Sequence, residues 1–291
     1  MQLQLFRSLW TNGFDLDAAL AECHQGIYDG IEAAVPLEPV ARREFVARLR
    51  DADVPLIAEI TTGGGYVPLH VSAERHLEEL RSIAEASLDA GPIRHTALAG
   101  CDAWSLAEGV DFLGRALEIL GELGITVSFE THRSRLTFNP WATRDLLLAL
   151  PEMRLTCDFA HWCCVCERLV LDAEPEVLAL CAQRASHVHA RVGYDQGPQV
   201  PHPAAPEHRE ALEAHERWWE AIWAYAERSG RPVTTVTPEF GPDGYLQATP
   251  FTGEPVASLD EINRWMAERE RKRFAERNPG RASSSGQPLI E

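Results

Sequence analysis

Short runs of β-branched and other apolar residues alternate along the chain with longer segments in which apolar residues recur every three or four positions. Short apolar runs of this kind are typical of strands in a buried parallel sheet, and the longer segments are typical of amphipathic helices. Eight runs predict strands, at residues 3–9, 30–34, 55–60, 93–98, 125–130, 154–158, 187–192 and 233–239.

Four of the longer segments have a clear apolar stripe, at residues 73–89, 106–123, 213–229 and 258–274. In the first of them, Leu77, Leu80 and Ile83 lie on one helical face. The last segment begins at Ser258, which precedes two acidic residues and is therefore predicted to cap the helix.

Eight strands that alternate with helices predict an α/β protein that forms a single (β/α)8 TIM barrel. Crossovers between neighbouring parallel strands are almost always right-handed, so this order of elements favours closure. An open, doubly wound sheet is the alternative, but no glycine-rich phosphate-binding loop follows the first strand. We expect residues 1–276 to form the barrel and residues 277–291 to be a disordered tail.

The composition is that of an ordinary globular protein, with 291 residues of which 45% are hydrophobic and 24% are charged. A net charge of -17 disfavours nucleic-acid binding. No apolar run reaches the ~18 residues that would span a membrane, and no signal peptide is recognisable at the N-terminus. The odd number of cysteines, seven, suggests reduced thiols in the cytoplasm. The sequence does not determine the oligomeric state, and a homo-oligomer is compatible with it.

Four polar residues lie at the predicted ends of strands five to eight, and these are Glu130, Asp158, His189 and Glu239. The carboxyl ends of parallel barrel strands converge on one mouth, so these side chains can meet there. Three carboxylates and one imidazole suit a hard divalent cation, with Mn²⁺ as first choice and Mg²⁺, Co²⁺ or Zn²⁺ as alternatives. A shared cation would also compensate for burying acidic groups in apolar strands. If the fold separates the four residues, they are unrelated polar groups.

This ordered set resembles the xylose isomerase-like barrels, which include sugar isomerases and epimerases, inosose dehydratases and endonuclease IV-type repair enzymes. The family pattern places a Glu on strand five, an Asp followed three residues later by a His on strand six, a His on strand seven and a Glu on strand eight. The matching residues here are Glu130, Asp158 with His161, His189 and Glu239. The resemblance extends from Leu3 to about Trp265 and includes Gly30-Ile31-Glu32 on strand two.

The resemblance implies a metal-dependent isomerase or epimerase of a small sugar or polyhydroxy carbonyl compound, which transfers a proton through a metal-stabilised enediolate. Glu130 and Glu239 would exchange the proton as base and acid, and His161 would donate a hydrogen bond to a substrate oxygen. One position departs from the family. Ketose 3-epimerases carry an Arg several residues after the strand-seven His, whereas Asp195 stands six residues after His189 here. Epimerase activity in particular is therefore in doubt.

Three other functions remain alternatives. A dehydratase, a lyase of inosose or dehydroshikimate type, would use the same metal site and the same first step. A repair endonuclease is less favoured because the chain is acidic and only His70 and His95 lie near the ends of strands three and four. A barrel that binds a sugar without catalysis is the third alternative.

Residues near the ends of the predicted strands or in the loops after them are candidates for substrate contacts, and these are Trp10, Trp104, His132, Arg133, Arg191 and Gln199. Arg191 points to the same side of its strand as His189, because the side-chain period of a strand is two. Tryptophan rings can stack on sugar faces. Two long connections, residues 61–70 and 193–206, follow strands three and seven and have the character of lids or binding loops.

Overall fold

The computed structural model describes residues 1–69, 71–242 and 244–277. Eight parallel strands form a closed barrel in chain order, and the last strand pairs with the first. The strands are β1 (Gln2–Ser8), β2 (Gly30–Ala34), β3 (Leu56–Thr61), β4 (Arg94–Leu98), β5 (Val127–Glu130), β6 (Leu155–Cys157), β7 (Ala185–His189) and β8 (Val233–Thr237). The predicted TIM barrel is therefore confirmed, and the predicted tail from residue 278 onward lies outside the described residues.

Helices surround the barrel and connect its strands. The α-helices are α1 (Leu16–His24), α2 (Pro39–Ala52), α3 (Ala73–Ser87), α4 (Leu106–Glu122), α5 (Pro140–Ala149), α6 (Ala160–Val165), α7 (Pro175–Arg184), α8 (Arg209–Arg228) and α9 (Leu259–Glu276). Short 3-10 helices cover Trp10–Asn12, Leu88–Ala90, Val170–Ala173 and Pro206–His208. As predicted, Ser258 caps α9, and its hydroxyl accepts a hydrogen bond from the Glu261 amide at 3.3 Å. No helix in the described part of the chain is long and apolar enough to cross a membrane.

Strands β7 and β8 end two or three residues earlier than predicted, so the residues that follow them lie on loops. Strand β8 stops at Thr237 because Pro238 has no amide hydrogen to continue the ladder. Strand β7 stops at His189, which pairs with Thr237, the last residue of its neighbour. Glu239 and Arg191 therefore lie on the loops at the barrel mouth, two residues beyond the strands.

The apolar core lies between the barrel and the helices, whereas the inside of the barrel is largely polar. The α8 tryptophans Trp218, Trp219 and Trp223 are fully buried in that core, which agrees with a packing role. Inside the barrel, the Thr156 hydroxyl on β6 hydrogen-bonds the hydroxyls of Ser128 on β5 and Thr96 on β4. TIM barrels are usually filled by branched apolar side chains. In this barrel, polar side chains line the interior and continue to the mouth.

Helix α9 buries a carboxylate, Glu270, on the outside of the barrel, where it is 0% exposed. Its Oε2 accepts a hydrogen bond from Arg273 Nη1 at 2.7 Å, but its Oε1 has no partner in the described part of the chain. Burial raises the pKa of Glu270 to about 7, although Arg273 opposes the shift. This group makes the stability of the protein depend on pH.

We expect the parent protein to lose about 3 kcal/mol more unfolding free energy between pH 5 and 8 than Glu270→Gln does, at ~1.4 kcal/mol per pKa unit. A carboxyl whose pKa is higher in the folded state binds its proton more tightly there. Its contribution is therefore most favourable at low pH and is lost as the pH rises from the ordinary value of 4.5 to about 7. Urea unfolding at several pH values measures the difference. Glu268→Gln, at an exposed site on the same helix, is the control, and an unchanged pH dependence in Glu270→Gln would contradict the assignment.

Candidate metal centre

The structure brings the four predicted ligands together at the carboxyl end of the barrel. Glu130 and His189 end their strands, Asp158 follows β6 directly, and Glu239 follows β8 by two residues. One ligand atom from each lies within 4.8 Å of the other three, and all four residues are buried. This is the spacing of donor atoms that can share one ion.

The orientation of His189 shows how these residues fit a cation. Its Nε2 lies 3.0 Å from Glu32 Oε1, so we assign the ring hydrogen to Nε2, where the carboxylate can accept it. Its Nδ1 lies 2.9 Å from Glu239 Oε2 and 3.4 Å from Glu130 Oε1, yet forms no hydrogen bond in the described structure. Two ligands ~2.1 Å from Mg²⁺ and at right angles to each other lie ~3 Å apart. The donor set therefore fits one divalent cation.

Glu32 on β2 fixes this orientation of His189. Its second oxygen, Oε2, accepts hydrogen bonds from His187 Nε2 at 3.1 Å and from the Thr237 hydroxyl. Burial alone would raise the pKa of Glu32, but His189 and His187 hold that pKa well below its ordinary value. Partners of this kind determine which nitrogen of a ligating histidine faces the metal. Glu32 therefore directs Nδ1 of His189 toward the carboxylates.

Without a bound cation, protons and one guanidinium group compensate for the negative charge of the carboxylates. Burial lowers the pKa of His189, but Glu239, Glu32 and Glu130 outweigh burial and raise that pKa well above its ordinary value. Burial also raises the pKa of Asp158 to about 7, against the effect of Arg191. Cation binding must therefore displace a proton from His189, because a ligating histidine is neutral.

Arg191 lies directly beside the ligand cluster. Its Nε is 2.9 Å from Asp158 Oδ2, and its Nη2 is 2.6 Å from Glu239 Oε2. The guanidinium group also stacks on Tyr245, at 4.6 Å from the ring centroid, and on Trp10, at 5.6 Å. Asp195, which departs from the epimerase pattern, is exposed. The arginine of this site therefore comes from position 191, at the end of β7.

A cavity of about 230 Å³ opens above the ligand cluster. Small-molecule sites commonly enclose roughly 300–1,000 Å³, so this one suits a compact substrate. Its polar lining comprises Glu59, Thr61, Thr96, Glu130, His132, His189, Arg191 and Glu239, and its aromatic lining comprises Trp10, Phe14, Tyr66 and Tyr245. Charged groups and aromatic walls in one small space favour a polar ligand with an apolar face.

Three predicted substrate contacts, Trp10, His132 and Arg191, line this cavity. His161 is fully buried behind His132, with 4.0 Å between the ring centroids. Burial lowers the pKa of His161 well below its ordinary value, and neither ring nitrogen has a hydrogen-bond partner in the described structure. Its predicted contact with a substrate oxygen stays a prediction.

The other three predicted contacts do not line the cavity. Arg133 stacks on Tyr245 at 5.1 Å. The Trp104 ring packs against the rings of His76 and Phe112, with 5.1 Å between the ring centroids in each pair. Packing therefore accounts for an aromatic residue after β4, and the predicted substrate contacts of Trp104 and Arg133 stay predictions.

Gln199 links the loop after β7 to the loop after β8, and its predicted substrate contact stays a prediction. Its amide oxygen accepts a hydrogen bond from the Gly241 amide at 2.8 Å, and its nitrogen donates to the Gly241 carbonyl at 3.2 Å. A Cβ atom at Gly241 would lie 1.9 Å from the Trp10 ring, so only glycine allows this approach. Gln199 therefore holds the loop after β8 against the aromatic wall of the cavity.

Several residues at the cavity were not among the sequence predictions. Glu59 interrupts an apolar strand in Leu-Ile-Ala-Glu-Ile-Thr, which is the same signal that identified Glu130. Tyr66 lies within the connection 61–70 that was predicted to be a lid or binding loop, whereas Tyr245 lies on a loop that no pattern identified. The sequence could therefore have revealed Glu59 and pointed to the segment of Tyr66, but it gave no signal for Tyr245.

The glycine-rich connection after β3 is tethered to the segment after β5. Buried Arg135 donates hydrogen bonds to the carbonyls of Thr62, at 2.8 Å, and Gly65. The Ser134 hydroxyl donates to the Tyr66 carbonyl at 2.9 Å. These bonds hold Tyr66 over the cavity in this structure. His70, the last residue of the predicted lid, lies outside the described residues.

Solved structures with the same architecture include enzymes of different kinds. D-allulose 3-epimerase from Methylomonas sp., in complex with D-allulose, is 13% identical, with 94% of this chain and 97% of that chain covered and a TM-score of 0.60. The probable 3-DHS dehydratase AsbF from Bacillus anthracis is 13% identical, with 92% and 98% covered and a TM-score of 0.59. Endonuclease IV from Thermus thermophilus is 13% identical, with 94% and 99% covered and a TM-score of 0.59.

The chain shares the closed-barrel fold of these structures, which are xylose isomerase-like barrels. No protein-family model and no curated protein matches its sequence. Because one fold can support several chemistries, the xylose isomerase-like architecture does not choose among isomerase, lyase and nuclease. That choice depends on the residues of this site.

Proposed function

We propose that the protein is a divalent-metal-dependent isomerase or epimerase of a small polyhydroxy carbonyl compound. The supporting observation is the buried cluster of Glu130, Asp158, His189 and Glu239 at the floor of a compact cavity. A structural neighbour, an epimerase, was crystallised with D-allulose, a ligand of this chemical class. Mn²⁺ is the proposed ion, because the donor set combines carboxylates with one imidazole.

The proposed reaction moves a proton between a substrate carbon and the protein. The bound cation would act as a Lewis acid that polarises adjacent substrate oxygens. Glu130 removes a proton from the carbon next to the carbonyl, and Glu239 delivers one, or the two residues act in the opposite direction. Their carboxylates lie 3.4 and 2.9 Å from His189 Nδ1, around the position that the cation would take, so both lie close to a substrate that the cation would hold.

Other residues would bind and orient the substrate. Arg191 is held between Asp158 and Glu239, where its guanidinium group can stabilise negative charge that develops on a substrate oxygen. Burial lowers the pKa of His132 well below its ordinary value, so at neutral pH this residue can share a hydrogen bond without carrying charge. The rings of Trp10 and Tyr245 would cover the apolar face of the substrate.

Hydrogen exchange in D₂O tests this proposal. Metal-loaded protein is incubated with pentoses, hexoses, inososes and their acids, and the products are followed by NMR and mass spectrometry. We expect deuterium on a carbon next to the carbonyl and a product with the same elemental composition as the substrate. Exchange that does not require metal, or turnover of no polyhydroxy carbonyl compound, would contradict the proposal.

Glu59 favours a lyase as the second candidate. This carboxyl lines the cavity and makes no hydrogen bond or ion pair within the described residues. Burial, with Glu32 and Glu239 nearby, raises the pKa of Glu59 well above its ordinary value. A protonated carboxyl could transfer its proton to a β-hydroxyl group as the C–O bond breaks, a base would take the α-proton, and water would leave.

We expect Glu59→Gln to distinguish the two reactions. Glutamine keeps hydrogen-bonding capacity but cannot give up a proton, so a lyase should lose about 10²-fold or more in kcat. An isomerase should lose far less, because Glu130 and Glu239 carry its proton transfer. The measurement is kcat on the substrate that turns over, with Mn²⁺ affinity as a control for an intact metal site. A large loss of isomerisation with unchanged metal binding would make Glu59 part of the isomerase machinery.

The site gives little support to a repair endonuclease. His95 on β4 is turned toward the surrounding helices, where its Nε2 hydrogen-bonds the Ser87 hydroxyl at 2.7 Å. His70 lies outside the described residues. With a net charge of -17, the chain is poorly suited to the DNA backbone.

A further inference from the structure

Three arginines gather at the end of the barrel opposite the candidate metal centre. Arg94 is the first residue of β4, Arg154 directly precedes β6, and Arg231 precedes β8 by two residues. The amino ends of parallel barrel strands lie at one face, and the carboxyl ends that carry the ligands lie at the other. The three arginines therefore do not belong to the catalytic cavity.

The hydrogen bonds of these arginines go to main-chain carbonyls. Arg94 donates to the carbonyl of Ser186, and Arg231 donates to that of Ala185. Arg154 donates to the carbonyls of residues 151 and 153, at 3.3 Å each. Within residues 1–69, 71–242 and 244–277, none of the three forms an ion pair with an Asp or Glu. Glu32 acts on Arg94 as a carboxylate at longer range, but no carboxylate pairs directly with any of the three guanidinium groups within these residues.

All three arginines line one cavity of about 460 Å³. This volume falls within the roughly 300–1,000 Å³ of small-molecule sites. A second cleft of about 360 Å³ also includes Arg154 and Arg231, and it adds Arg184 and Tyr225. The two spaces therefore form a continuous surface lined by guanidinium groups.

The local electrostatics leave this cavity ready for an anion. Burial lowers the pKa of Arg94, Glu32 opposes this shift, and the neighbouring Arg231 adds to it. Burial likewise lowers the pKa of Arg231, and the neighbouring positive charge of Arg154 adds to this shift. The Nε of Arg94 is buried and has no hydrogen-bond partner in the described part of the chain. A bound anion would stabilise the charged form of both arginines and would accept a hydrogen bond from Arg94 Nε.

We propose that this cavity, lined by Arg94, Arg154 and Arg231, is a binding site for a small polyvalent oxyanion of the phosphate type. Guanidinium groups match the geometry of phosphate oxygens and bind them through paired N–H donors. A purely structural role, in which the arginines hydrogen-bond main-chain carbonyls at this end of the barrel, would account for the bonds of Arg94 and Arg231. Such a role would not account for Arg154, because this residue hydrogen-bonds only carbonyls of its own segment and yet lines the same cavity.

Calorimetric titration with pyrophosphate and with inorganic phosphate tests the site. The full chain is used with chelator present, at ionic strength held constant with chloride. We expect saturable binding of one anion per chain, at least tenfold weaker in Arg154→Gln and in Arg231→Gln. Arg168→Gln is the matched control, because Arg168 lies elsewhere, stacked on Trp141 at 5.5 Å, and should bind as the parent does.

Two further measurements make the result decisive. Arg231 also binds the carbonyls of Ala185 and Gln183, so Arg154→Gln decides the matter if Arg231→Gln unfolds. Arg191→Gln removes the guanidinium group at the opposite end of the barrel and should keep the parent affinity, which excludes binding of the anion beside Arg191. Binding lost in Arg191→Gln but kept in Arg154→Gln would overturn the proposal. The absence of saturable binding of either anion at millimolar concentration would also overturn it.

Discussion

Glu130→Gln and Glu239→Gln are each expected to lower kcat by about 10³-fold or more while the protein stays folded. The change removes a group that exchanges the substrate proton, an effect worth roughly 10²–10⁴-fold in enzymes. It also replaces one anionic donor of the ligand cluster by a weaker, neutral one. Both effects fall on the chemical step, so kcat should fall more than the apparent affinity for substrate.

Both variants should stay folded, but their stabilities should differ. Burial raises the pKa of Glu130, so Glu130→Gln should be at least as stable as the parent in urea unfolding without added metal. Burial alone would raise the pKa of Glu239, but His189 and Arg191 outweigh burial and lower it, so Glu239→Gln should be less stable than the parent while circular dichroism still shows a folded protein. Glu118→Gln, at an exposed site on α4, is the control for a glutamate-to-glutamine change away from the cavity. Near-parent turnover in either active-site variant would exclude that residue from the proton transfer.

The order of the ligands was predictable from sequence because each of them interrupts or ends an apolar strand. A carboxylate in such a strand needs compensation, and the alternation of strands and helices placed these residues at one end of a barrel. The same reasoning applies to Glu59, whose strand is equally apolar.

The roles of other residues depend on contacts between distant parts of the chain, and no local pattern shows those contacts. Glu32 reaches across the barrel to His187 and His189, more than 150 residues away in sequence. Trp104 and Gln199 follow strands as a substrate contact would, but Trp104 packs against other rings and Gln199 links two loops. Proximity to a strand end therefore places a residue near the mouth without showing whether it faces the cavity.

Metal binding should produce the second large effect, a rise in thermal stability. A ligand that binds only the folded state at 1,000 times its Kd stabilises that state by about 4 kcal/mol. For a domain of this size the melting temperature should rise by roughly 10 °C, at about 2–4 °C per kcal/mol. The increase is measured by scanning calorimetry with added Mn²⁺ and should disappear when a chelator is added.

The pH dependence and a ligand variant identify where the ion binds. Without metal, the carboxylates around His189 raise its pKa, so at acidic pH a proton occupies the nitrogen that the cation needs. The Mn²⁺-dependent rise in melting temperature should therefore grow as the pH increases from 5 to 8. Asp158→Asn should show little or no rise at any pH, whereas Glu118→Gln should behave as the parent does. An equal rise in Asp158→Asn would place the ion elsewhere, and no rise with Mn²⁺, Mg²⁺, Co²⁺ or Zn²⁺ would remove the physical basis of the proposed reaction.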